Sequence, residues 1–415
     1  MTSSLRIGII GLGYVGLPLA VAFARYHAVV GYDRDPVRVA ELRQGHDRTR
    51  SLPTAELRAA TLTVTADPEA LRDCTVYMLT VPTPITTDHR PDLRPLLSAS
   101  ATVAGVLKSG DVVIYESTVY PGCTEEDCVP VLERESGLRY NQDFTVGYSP
   151  ERLSPGQGSR PLTDIVKITS GSTPATAAFV DELYQRIVTA GTHPAPSIRV
   201  AEAAKLIENA QRDVNISFMN ELVLLFDRLG LDTSAVLKAA GTKWNFLPFR
   251  PGLVGGHCIS VDPYYLLHKA EQVGYTPQVI ASGRRVNEHM PVFVAGKFAQ
   301  LLVARGVTLR DSPVLVLGIT YKENCPDVRD SRVVEVVREL RRFGLDVDVT
   351  DPWANPAEVQ DRYGLTLKAT PDRVYSALLV AVPHREFEPS YTRRFVENPT
   401  HVVELDTLWK PLPTA

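Results

Sequence analysis

The sequence predicts an α/β protein made of two doubly wound domains on parallel sheets, joined by a long central helix. Three observations predict it. A strand-like run, a glycine-punctuated turn, a helix-like run and a second strand-like run open the chain. A similar alternation begins again at Pro313. Between the two, Ile198 to Leu229 contains neither glycine nor proline and carries apolar residues at helical spacing.

The elements follow in order. Leu5 to Ile10 is rich in β-branched residues, Leu19 to Ala24 is helix-like and Ala28 to Tyr32 returns to strand composition, which makes a βαβ unit. Strands are expected at Val76 to Val81, Val112 to Glu116 and Phe144 to Tyr148, alternating with helices around Leu93 to Leu107 and Glu125 to Arg134. The first, Rossmann-like domain is drawn over residues 1–196. Residues 197–305 form a helical central domain opened by the long helix. The second α/β domain spans 306–415, with strands at Val314 to Leu317, Asp346 to Val349, Ala377 to Val382 and His401 to Glu404 and a helix over Val333 to Phe343.

At 415 residues the chain is too long for one ordinary core. Charged residues at 22% and hydrophobic residues at 44% describe a soluble globular protein, and 44 basic against 48 acidic side chains give no nucleic-acid footprint. No charge falls between Arg6 and Arg25, which mimics a membrane span, but Gly11, Gly13, Gly16 and Pro18 punctuate that run as strand, turn and helix. Five cysteines without a Cys-x-x-Cys pair fit thiols in a reducing cytoplasm better than disulfides or a metal site, and no metal is expected.

Gly11-Leu12-Gly13-Tyr14-Val15-Gly16 is a G-x-G-x-x-G sequence that follows a strand and opens a helix. The glycines allow a tight turn and close backbone approach, so a pyrophosphate sits on amides at a helix N-terminus, where the macrodipole favours an anion. Asp33 ends the next strand, where a carboxylate accepts from the adenosine ribose and repels the added phosphate of NADP. NAD is therefore expected, although Arg34 and Arg38 leave a 2′-phosphate reading open. Val81-Pro82-Thr83-Pro84 and Glu116-Ser117-Thr118 end later strands at the carboxyl edge, where open α/β sheets bind ligands. The expected cofactor contacts are thus Gly11, Gly13, Tyr14, Val15, Gly16, Asp33, Arg38, Pro82, Thr83, Ser117 and Thr118.

Gly255-Gly256-His257-Cys258, with Asp262 four residues on, suggests a loop running into a helix and a candidate nucleophile. A hydride acceptor alone takes a primary alcohol to the aldehyde. A thiolate can trap that aldehyde as a thiohemiacetal, give up a second hydride and leave a hydrolysable thioester, so two NAD are consumed. A small buried thiol that merely packs is the plainer alternative. Lys205 and Asn209, four apart on one helix face, are placed to donate to one oxygen that gains charge. Glu151-Arg152 follows a strand in a Pro- and Gly-rich loop, where Glu151 can orient water or take a proton. Tyr321, Lys322 and Arg329 occupy the first loop of the second α/β domain, where a nucleotide diphosphate needs cations; Tyr321 and Lys322 are assigned to substrate and Arg329 to the cofactor.

These residues together resemble the UDP-glucose/GDP-mannose dehydrogenase family, most closely its bacterial branch acting on UDP-N-acetylhexosamines. The resemblance spans essentially the whole chain through Gly11 to Pro18, Val81 to Pro84, Glu116 to Val119, Gly147 to Arg152, Ala201 to Lys205, Gly255 to Cys258 and Gly318 to Lys322. It implies an N-terminal NAD domain, a helical linker used in homodimerisation and a C-terminal domain for the UDP-sugar. It further implies Cys258 as thioester nucleophile, Lys205 and Asn209 as oxyanion donors, Asp262 as support for Lys205 and the water, and Glu151 and Thr118 in water or proton transfer. Arg152, Leu153, Phe249, Gly255, Tyr321 and Lys322, with Lys205 and Asn209, would line the substrate pocket.

The branch rests on Ala240 to Phe246 and Glu323 to Asp327. Three departures stand against the family's pattern: Ser154-Pro155-Gly156-Gln157 where Asn-Pro-Gly-Asp is usual, Ser260 where a small residue or proline is common, and Ser51 where an acid is common. UDP-glucose or GDP-mannose is the alternative substrate. A two-electron hydroxyacid dehydrogenase and a catalytically silent nucleotide-sugar-binding protein are the competing functions.

Overall fold

The computed structural model describes residues 5–152 and 161–412, so Leu153 and Ser154 to Gln157 lie outside the described residues. The chain divides into two compact units. One runs to Glu208 and includes Tyr264–Tyr275; the other comprises Asn209–Pro263 and the chain from Thr276 onward.

The first unit is built on strands β1 (Arg6–Ile10), β2 (Ala28–Tyr32), β3 (Leu62–Thr65), β4 (Val76–Leu79), β5 (Val112–Tyr115), β6 (Thr145–Tyr148), β7 (Lys167–Gly171) and β8 (Thr192–Pro194). Their order is β3-β2-β1-β4-β5-β6-β7-β8, and every neighbouring pair is parallel except β6 with β7. The order reverses between β1 and β4, which makes their carboxyl ends a topological switch point. Helices α1 (Gly16–Phe23), α2 (Pro36–Arg43), α3 (Thr54–Ala59), α4 (Arg94–Ala104), α5 (Val129–Ser136) and α6 (Pro174–Gln185) fill the connections. Near-continuous apolar strands such as β4, buried at all four positions, are what a sheet covered on both faces requires.

Two expectations shift. Val81 falls beyond β4, because Pro82 and Pro84 have no amide hydrogen to extend a ladder. The helix read over Glu125 to Arg134 begins as a π-helical turn, Thr124–Cys128, and becomes α5 only at Val129. Pro130 cannot close the usual four-residue bond there.

In the second unit β9 (Pro313–Leu317), β10 (Asp346–Thr350), β11 (Ala377–Val380) and β12 (Val402–Glu404) form a parallel sheet in the order β10-β9-β11-β12. The long helix α7 runs from Ile198 to Leu229, the limits read from its missing glycine and proline. It is followed by α8 (Thr233–Ala240), α9 (Asp262–Gln272) and α10 (Gln278–Ala304); α11 (Val333–Arg342), α12 (Pro356–Tyr363) and α13 (Pro389–Thr392) complete the helices. The 27-residue α10 was not legible as a single helix because Pro291 lies inside it.

A buried polar network joins α10 to the C-terminal part of α7. Arg284 Nη1 donates to Asp213 Oδ1 at 2.7 Å, Asn287 Nδ2 to the same oxygen at 2.7 Å, and Asn220 Nδ2 to Asn287 Oδ1 at 2.8 Å. Asn220 also brackets Gly252, accepting from its amide at 2.9 Å and donating to its carbonyl at 3.0 Å. The segment leading to Cys258 is thereby tied to the core. Among the described residues no helix is long and apolar enough to cross a membrane.

Candidate functional site

The glycine loop after β1 is shaped from behind. Gly11 takes φ +93°, a left-handed value that disfavours a side chain, and its amide donates to Tyr32 O at 2.8 Å. Thr80 Oγ1 donates to Gly11 O at 2.7 Å, and Leu12 N donates to Asp33 Oδ2 at 2.9 Å. A Cβ on Gly16 would stand 1.8 Å from Gly11 O, so only glycine lets α1 start this close to the turn. A Cβ on Gly13 would meet nothing within 4 Å, which leaves space on the open side of the loop beside Tyr14 and Val15. A closed back, an open front and a helix start fit a pyrophosphate.

Arg38 needs a correction. Expected at the cofactor, it is 2% exposed and directed at the back of the loop, donating through Nε and Nη2 to Leu12 O at 3.0 and 2.9 Å and through Nη2 to Asp47 at 2.7 Å. Its guanidinium shapes the loop and does not offer a seat for a 2′-phosphate. Asp47 also accepts from Ser51 N and Oγ at 2.8 and 2.9 Å, which gives Ser51 a structural role the sequence did not suggest.

The loops after β4 and β5 are tied together, since Ser117 Oγ donates to Val81 O at 2.7 Å. Tyr265, on α9, donates from its hydroxyl to Thr83 O at 2.9 Å and fixes the Pro82-Thr83 turn. Behind these loops lies a buried pair: Lys167 Nζ meets Glu116 Oε2 at 2.5 Å and donates to Pro150 O at 2.9 Å, while the Tyr184 hydroxyl donates to Glu116 Oε1. Glu151 N donates to Glu116 O at 3.3 Å, so one cluster sets the starts of the segments carrying Thr118 and Glu151. Arg152 bonds Glu208 at 2.8 Å and Val166 O at 2.6 Å.

Lys205 is 4% exposed on α7, so its ammonium is buried rather than solvated. One turn earlier on the same helix, Glu202 is fully buried and accepts from Gly122 N at 2.6 Å and Thr124 N at 2.9 Å. Burial pushes its carboxyl up to about 7, against the pull of the two amides.

In the second unit the cysteine loop is a turn feeding α9. Val261 N and Asp262 N donate to Cys258 O at 3.1 and 2.8 Å, and Cys258 is half-buried. Asn209 Nδ2 donates to the buried Asp262 Oδ2 at 2.6 Å, so these two predicted site residues meet. His257 lies 3.4 Å from Arg329 Nη2 and 3.6 Å from Asp327 Oδ2, and Arg329 is itself held by Asp327 at 2.6 Å. A Cβ on Gly255 would come within 2.5 Å of Asp330 O, and one on Gly256 within 2.8 Å of the Tyr321 ring. Phe249 is half-buried and Lys322 exposed.

The loop after β9 repeats a device of the first unit: Asp351, at the end of β10, accepts from Ile319 N at 2.6 Å as Asp33 does from Leu12. Here, however, the next helix starts only at Val333, so the loop is not a helix-opening phosphate turn.

Sequence reasoning named no role for Glu202, Lys167, Tyr265, Asn220 or Asp330. A lysine opening the otherwise uncharged Lys167–Gly171 strand was the available signal for one of them. The others carry none, because each acts on a backbone atom distant in sequence.

Family models match three successive stretches: the UDP-glucose/GDP-mannose dehydrogenase family NAD binding domain over residues 5–188, its central domain over 199–289 and its UDP binding domain over 315–411. The sequence is 54% identical over 386 residues to a UDP-N-acetyl-D-glucosamine 6-dehydrogenase of Pseudomonas aeruginosa, covering 92% of each chain. It is 49% identical over 383 residues to Protein CapL of Staphylococcus aureus, covering 92% of this chain and 90% of that one. Among solved structures, that of a UDP-D-ManNAc dehydrogenase from Pyrococcus horikoshii superposes with a TM-score of 0.85 at 31% identity, covering 96% and 95% of the two chains.

Proposed function

Because the chain belongs to the UDP-glucose/GDP-mannose dehydrogenase family, we propose that it oxidises the 6-hydroxymethyl group of UDP-N-acetylglucosamine, or of its galacto epimer, to the uronic acid. It is an NAD-dependent UDP-sugar dehydrogenase; the acetamido sugar is the finer step. That step is carried by the 54% identity, over 92% of both chains, to an enzyme named for UDP-N-acetyl-D-glucosamine.

Bound NAD supplies the hydride acceptor for each of two oxidations, and Gly11, Gly13, Gly16 and Asp33 are the residues that hold it. The rest is the work of side chains. Cys258 adds its sulfur to the aldehyde carbon to give a thiohemiacetal, and loss of the second hydride with the hydroxyl proton leaves a thioester. Water then cleaves the C–S bond, returning the thiol and releasing the carboxylate. Lys205 and Asn209 donate to the oxygen that carries charge in each step, and Asp262 orients the Asn209 carboxamide. Glu151 and Thr118 assist the water and its proton. Arg152, Leu153, Phe249, Gly255, Tyr321 and Lys322 bind the UDP-sugar, and Arg329 contacts the cofactor. Residues 1–196, 197–305 and 306–415 are the NAD-binding, central and UDP-sugar-binding domains. The active protein is a cytoplasmic homodimer, a reading supported by the exposed Phe218, Leu225 and Leu229 on α7.

The test is a panel of UDP-sugars and GDP-mannose followed by NADH absorbance, with product mass identifying the acid. Two NADH per acid from an acetamido sugar is the expected result. One NADH and no acid removes the thioester route, preference for UDP-glucose or GDP-mannose removes the acetamido assignment, and binding without NADH leaves a silent binding protein.

A further inference from the structure

Ser260 is a departure from the family pattern that no step above uses, and the structure gives it two partners. Its hydroxyl is fully buried and donates to Gly256 O and to the Asp330 carboxylate. One proton serves both acceptors, and the charged carboxylate is the stronger. The bond to Gly256 closes a five-residue loop around Cys258; the bond to Asp330 fastens that loop to another segment.

Asp330 grips the loop at both ends. While its carboxylate meets Ser260, its own carbonyl accepts from Gly256 N at 3.2 Å. It does so at φ +52°, a left-handed conformation that aspartate tolerates better than most residues. Neighbours hold it there: Tyr363 donates to Val328 O at 2.6 Å and accepts from Ser331 N, and Arg332 Nη1 pairs with Glu335 at 2.7 Å. Residues 327–332 therefore seat the loop at His257 through Asp327 and Arg329, at Gly256 through the Asp330 carbonyl, and at Ser260 through the Asp330 carboxylate.

We propose that Ser260 and Asp330 form a latch that positions the Cys258 loop against the segment following β9, so that a nucleotide diphosphate bound by that segment alters the reactivity of the cysteine. Both are positioning residues, since neither touches the reacting carbon. The latch rests on the assignment of Tyr321 and Lys322 to the UDP moiety. It makes one half of the substrate prepare the nucleophile for the other half, a coupling that direct shielding of the sulfur by ligand does not require.

The experiment uses the full-length protein and measures iodoacetamide alkylation of Cys258, located by peptide mass, with and without UDP. In the wild type UDP is expected to change the alkylation rate by about fivefold or more. In Ser260→Ala that ratio falls to near one, with kcat lowered by about tenfold and KM for the UDP-sugar little changed. Ser260→Thr, which keeps the hydroxyl, restores the ratio, and Asp330→Asn, which keeps the shape without the charge, gives an intermediate one. An unchanged UDP effect in Ser260→Ala means ligand merely shields the sulfur and overturns the latch, as does a wild type that shows no UDP effect. Two NADH per acid in the same wild-type sample keeps the thioester reading intact in either case; one NADH removes that reading instead.

Discussion

Cys258 and Glu202 illustrate two ways in which a single side chain serves the site. The sulfur at 258 sits on a turn whose carbonyl is held by Val261 N and Asp262 N at the start of α9. Cys258→Ser is expected to lower turnover by orders of magnitude, because an ester forms and hydrolyses less readily than a thioester; NADH production under saturating sugar reads this directly. Glu202 ties α7 to the Gly122–Thr124 turn. Its folded pKa, about 7, lies above the ordinary carboxylate value, so its contribution to stability is full below the unfolded pKa and is lost as pH rises through about 7. The thermal midpoint of the wild type should therefore fall more steeply between pH 5 and pH 8 than that of Glu202→Gln. Parallel slopes would remove Glu202 as the titrating group.

At the scale of elements, close approach matters more than propensity. The turn into α1 works because Gly16 has no side chain, and Gly16→Ala should cost about 1–3 kcal/mol of overpacking strain. Loss is expected in NAD affinity, measured by titration, while UDP binding to the other unit stays at its wild-type value. The ends of β5, β6 and β7 are locked by Lys167 and Glu116, both buried. Lys167→Met leaves that carboxylate without its cation and should destabilise the protein by about 3–5 kcal/mol in denaturant titrations. Lys167→Met combined with Glu116→Gln should recover much of the loss, which separates an uncompensated charge from lost packing. Apart from the lone charge of Lys167 in its strand, these locks left no signal in the sequence because they pair strands by contact, whereas the strands themselves announced their apolar composition.

For the whole molecule, α7 contributes buried residues to both compact units and still presents Phe218, Leu225 and Leu229 to solvent. Trp244, after α8, is also 91% exposed. Leu225→Asp should convert the proposed dimer to a monomer in sedimentation velocity; a wild type already monomeric at micromolar concentration would contradict the dimer. Family membership, the G-x-G-x-x-G turn, Cys258 and the limits of α7 could be read in sequence because each is a local pattern of residue type and spacing. The burial of Arg38 behind the glycine loop, the Glu202 and Asn220 tethers and the clasp of Asp330 on Ser260 could not. Each of these depends on which atom, of backbone or side chain, the fold brings within hydrogen-bond reach from a position distant in sequence, and that distance is set only when the tertiary structure closes.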